Sequence, residues 1–140
     1  MSEPKSLMQS RIGLTAGQTL MLIVIGAVLW FAAAVLLRTI GPNGAFEGNR
    51  HILLHALTIP ATIPFVWLVQ KLVGLADDRI AIGYSLATAT ALLLDGIAVA
   101  WFPALYGGDL PHVTNSAAAI LWSAGVGMVL AFIMNGEPTT

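Results

Sequence analysis

Residues 16–37 read AGQTLMLIVIGAVLWFAAAVLL, without a single charged side chain. A helix needs about 20 such residues to cross a hydrocarbon core of roughly 30 Å, and only a structure that satisfies its own backbone hydrogen bonds can do so. Thr15-x-x-Gln18 is a capping box that opens this helix. Gly41-Pro42-Asn43-Gly44 closes it. The run exceeds the roughly 7–15 apolar residues of a signal peptide, and no polar segment with an A-x-A-like cleavage site follows. It is therefore expected to be a retained span.

Three further runs repeat the pattern. The spans are expected at about 16–38, 52–74, 80–103 and 116–134, in a single integral membrane domain covering 1–140. The fold class is an all-α, four-helix transmembrane bundle with both termini on the same side. Asp77 or Asp78 is expected to cap the third helix and Asn115 or Ser116 the fourth. Asn135-Gly136, with Pro138 beyond, ends the fourth. The connection near 75–79 is short enough to predict a tight antiparallel hairpin of helices two and three.

Composition agrees. The 140 residues are 57% hydrophobic and 9% charged, with mean hydropathy +0.84, against roughly 25% charged residues in soluble domains. The bilayer must be the solvent for so much apolar surface. A net charge of −1 offers no basic field for nucleic acid. The absence of cysteine excludes disulfides, thiolate metal sites and cysteine nucleophiles. No N-x-S/T sequon occurs, which fits a bacterial source. Lys5, Arg11, Lys71 and Arg79 fall on the side of the termini and Arg38 and Arg50 on the other. That excess places the termini in the cytoplasm.

Helices in lipid associate through small residues that let backbones approach. Ala119, Ser123, Gly127 and Ala131 form such a stripe on helix four, and Gly83, Ala87 and Ala91 form one on helix three that Asp95 continues. Asp95 should thus face the bundle or a partner subunit. In helix two, Pro60 and Pro64 deprive the carbonyls of Ala56 and Pro60 of their usual donors. Thr58, Thr62 or water can replace them. The two readings of this segment are a static kink and a hinge or carbonyl ligand site.

Asp95 is the only carboxylate deep in a span. An ionisable group there costs about 2.5–3.5 kcal/mol on insertion scales and needs a reason. Arg38 ends helix one and His55 sits one turn inside helix two, so Arg38, His55 and Asp95 fall at a similar depth on one side. One reading pairs Arg38 with Asp95 to fix helix packing, since a guanidinium fork holds a carboxylate bidentately. Another makes the three an outward polar pocket that binds a ligand or relays protons. His51 and His55 are spaced i, i+4, and His112, Asp95 or Asp109 could add donors, but that spacing is common and no metal is assigned. No catalytic signature is present, so an enzyme is not expected. Trp101 and Tyr106 fall where an interfacial aromatic belt belongs.

Trp30 with Leu37-Arg38 and Gly41, then Leu94-Asp95-Gly96 with Phe102-Pro103, resembles small bacterial membrane proteins grouped as domain of unknown function 5367. The resemblance implies four helices and a bacterial inner membrane. It implies no activity, substrate or cofactor. The expected function is that of a structural or accessory membrane protein, associating with lipid and with a second copy or a membrane partner. The alternative is a small transporter or ligand-binding protein that uses the outward polar cluster.

Overall fold

The computed structural model describes residues 12–138. Among these residues the chain forms four long helices: α1 (Ala16–Ile40), α2 (Gly48–Val73), α3 (Ile80–Trp101) and α4 (Leu110–Met134). Each is long and apolar enough to cross a membrane, the architecture of a multi-pass membrane protein. Large apolar side chains such as Val28, Leu93, Leu121 and Ile133 point outward, as expected where lipid is the solvent. Lys5 and Arg11 lie outside the described residues.

Local chemistry sets the helix ends. The Thr15–Gln18 capping box is present, each side chain accepting from the other residue's backbone N–H. Two starts differ from the sequence reading. α4 begins at Leu110, not 116, and its cap is Asp109, whose carboxylate accepts from the His112 N–H at 2.9 Å; neither Asn115 nor Ser116 caps it. Pro111 is tolerated because first-turn N–H groups have no intrahelical acceptor. His112, Thr114 and Asn115 had masked the apolar period there. α2 likewise gains a polar first turn, starting at Gly48.

Neither Asp77 nor Asp78 caps α3; Asp77–Arg79 is a 3₁₀ turn, and the Ala81 N–H donates instead to Asn135 Oδ1 at 2.9 Å. Asp77 Oδ1 accepts from Gln70 Nε2 at 2.7 Å. The Gly136 N–H bonds Asp77 O at 2.7 Å, Gln18 Nε2 bonds Gly74 O at 3.1 Å and Arg79 reaches Ile12 O at 3.5 Å. These bonds gather the start of α1, the α2–α3 connection and the end of α4 at one end of the bundle.

The expected α2–α3 hairpin makes only thin helix–helix contact, as do α1 and α2; α1 packs mainly on α3, α3 on α4 and α4 on α2. The small-residue stripes explain the order. A Cβ on Gly26 would lie 2.4 Å from Ala87 O, and one on Gly127 would lie 2.5 Å from Tyr84 Oη. These glycines allow α1 and α4 to approach α3 on two sides. Gly83, Ala87 and Asp95 are buried on α3, as are Ala119, Gly127 and Ala131 on α4, so both stripes are used within one chain. α2 has no stripe facing α3, and proximity in sequence does not supply one.

α2 remains helical through Pro60 and Pro64. The Thr58 hydroxyl donates to Leu54 O at 2.8 Å and Thr62 to Thr58 O at 2.6 Å. Neither serves the carbonyls of Ala56 or Pro60, because a threonine hydroxyl in a helix reaches back to its own preceding turn.

Candidate functional site: a buried carboxylate beside an interhelical cavity

α3 ends at Trp101 because Pro103 follows, and the chain turns through a 3₁₀ segment, Pro103–Tyr106. Gly107 and Gly108 then take φ of 108° and 87°, values that favour glycine. The reversal swings Tyr106 back into the bundle, where its side chain is fully buried. Its hydroxyl donates to Asp95 Oδ1 in a short hydrogen bond and accepts from Trp30 Nε1 at 3.1 Å. Burial first, and the adjoining Asp95 carboxylate second, hold the Tyr106 phenol above its ordinary range. The hydroxyl is therefore a donor at any physiological pH. The chain Trp30–Tyr106–Asp95 links α1, the turn and α3, among Ala34, Ala98 and Val113.

Asp95 is 8% exposed. Arg38 is not its partner. It is exposed, and among the described residues the one carboxylate ion pair is Arg79–Asp78 at 3.4 Å, near the opposite end. Arg38 lies in the last turn of α1, where its long side chain can reach the polar boundary. His55 is also elsewhere. Its Nδ1–H donates to His51 O at 2.9 Å, and its ring lies 4.7 Å from that of His51 and 5.7 Å from that of Trp122. Trp122 Nε1 in turn donates to His55 O at 2.9 Å, pinning α4 to α2. The proposed trio of Arg38, His55 and Asp95 thus does not assemble; the carboxylate gathers Tyr106 and Trp30 instead. Trp101 is 70% exposed, whereas Tyr106 is buried in the bundle and does not belong to a surface belt.

His112 is structural as well. Its Nε2–H donates to Leu37 O at 3.1 Å, capping the end of α1. Gly41 and Gly107 leave room for its ring, since a Cβ on either would fall within 2.8 Å of it. Among the described residues no three of His, Asp and Glu converge as metal ligands.

Beside Asp95 lies a cavity of about 260 Å³ lined by all four helices. Its walls are mainly apolar, including Leu29, Ala33, Ala91 and Ile120, with Trp30 and Tyr84 as aromatic faces. Thr58, Thr88 and Ser123 bring hydroxyls, and Asp95 brings the one carboxyl group in the lining. The Thr58 and Ser123 hydroxyls donate to their own helices. Asp95 Oδ1 accepts from Tyr106, and the residue also lines the cavity. No protein-family model matches the chain, and no curated protein or solved structure is significantly similar to it.

Proposed function

We propose that this chain is a small multi-pass membrane protein that binds a ligand between its four helices, with Asp95 as the polar anchor. The carrying observation is a buried carboxyl group that lines an apolar cavity, with no cation paired to it among the described residues. Helix bundles that exist only to be packed fill their interiors to crystal-like density. Ligand sites combine mostly apolar walls with a few placed polar groups. The cavity walls and Asp95 have that character, and an unpaired intramembrane carboxylate is costly without such a use.

A structural or accessory role is the second reading. It is favoured by the Trp30–Tyr106–Asp95 chain, which ties three elements together. It has lost its original support, the Arg38–Asp95 pair. Nothing in either reading calls for a cofactor or a catalytic step. The location that best fits is a bacterial inner membrane with cytoplasmic termini. The excess of Lys5, Arg11, Lys71 and Arg79 over Arg38 and Arg50 in the sequence supports that orientation, as does the resemblance to domain of unknown function 5367.

Native mass spectrometry of the detergent-purified protein, beside Asp95→Asn, tests the proposal. A stoichiometric small-molecule mass on the wild type that is missing from the variant is expected. Bare and identical masses for both would favour the structural reading.

A further inference from the structure

Part of the cavity lining reaches the apolar surface of the bundle, where α1 and α2 make only thin contact. Both present lining side chains that are not closed over. Leu36 of α1 lines the cavity while 56% exposed, and Leu54 and Thr58 of α2 line it while half-buried. All three belong to apolar helices that meet the bilayer, so the route in is lateral, from the hydrocarbon. A strongly hydrated solute would have to shed its water in lipid to use this route.

The lining then narrows the ligand class. Asp95 has no cation paired to it among the described residues, and Trp30, bonded to the same Tyr106 hydroxyl, contributes an aromatic surface beside it. A carboxylate together with aromatic faces is the chemistry that holds an organic ammonium. The remaining walls suit a hydrocarbon body. A volume of about 260 Å³ lies just below the roughly 300–1,000 Å³ usual for small-molecule pockets, which limits the ligand to about one ring or its equivalent. Resting on the ligand-binding reading above, we propose that the cavity takes a small hydrophobic organic cation from the bilayer through the α1–α2 cleft, with its ammonium against Asp95. Binding of the cation offsets the cost of the unpaired buried carboxylate, so the site prefers charge in a place where lipid alone would reject it.

The test uses benzyltrimethylammonium and its uncharged isostere neopentylbenzene, titrated into the full-length protein in detergent and followed by saturation-transfer NMR. The two probes share a shape and differ in charge. The cation is expected to bind at least about tenfold more tightly than the isostere, and to lose at least about tenfold in Asp95→Asn, where a buried charge pair is removed. Ala91→Leu, which fills the cavity and leaves the carboxylate in place, is expected to weaken both probes. Equal binding of both probes, unaffected by Asp95→Asn, would overturn the cation assignment while leaving a ligand-binding cavity. Binding of neither probe to the folded wild type would overturn the assignment and the ligand-binding reading together.

Discussion

Tyr106 holds two groups that would otherwise be stranded: the Trp30 indole N–H and one oxygen of Asp95. Removing its hydroxyl leaves both without partners in a low-dielectric interior, at a cost of about 1–3 kcal/mol for each buried group so orphaned. Tyr106→Phe is therefore expected to lower the thermal unfolding midpoint in detergent by several degrees. Tyr84→Phe is the contrasting variant, because Tyr84 donates no hydrogen bond to a described side chain. An unchanged midpoint in Tyr106→Phe would remove the network from the stability of the fold. Asp95 was legible as a buried polar residue because it continues the Gly83–Ala87–Ala91 stripe. Its partner was not, since Tyr106 lies beyond a helix end and only the Pro103 turn and the two glycines after it bring the ring back. Trp30 carried no signal of its own, as tryptophan suits lipid interfaces and interiors alike.

Between elements, glycine sets the spacing. The Cβ absent from Gly26 would collide with the Ala87 backbone carbonyl at 2.4 Å, which no side-chain motion relieves, whereas Gly125 has open space around its missing Cβ. Gly26→Ala is expected to destabilise by about 1–3 kcal/mol through overpacking, and Gly125→Ala to be neutral or slightly stabilising through helix propensity. Denaturation of the two variants in mixed detergent micelles reads the difference; equal effects would contradict the close α1–α3 approach. The helices themselves were plain in the sequence because apolar length is a strong signal. Their order around the bundle was not. A short α2–α3 connection suggested a packed hairpin, yet which faces carry small residues decides which helices meet. The start of α4 was hidden for a related reason, since Asp109, Pro111 and His112 form a good helix opening that hydropathy does not register.

At the scale of the whole molecule, the contacts that join residues 12–18, 70–81 and 135–136 put the start of α1 and the end of α4 at one end and the connections containing Glu47 and Asp109 at the other. The chain has no cysteine, so single cysteines report orientation without background. Glu47→Cys is expected to react with a membrane-impermeant maleimide in intact cells, and Glu137→Cys only after permeabilisation; the reverse pattern would invert the orientation. Within this frame the bundle is tightly packed along the α1–α3 and α3–α4 seams and open beside Asp95. A carboxylate retained for binding is a burden on the fold, while one retained for packing supports it. Thermal unfolding of Asp95→Asn separates these cases most directly, since the asparagine carbonyl can still accept from Tyr106 while the acidic group is replaced by a neutral amide of the same shape. An unfolding midpoint equal to or above that of the wild type is expected if Asp95 serves the cavity. A fall as large as that of Tyr106→Phe would mean that the carboxylate holds the bundle together, and would contradict the binding role.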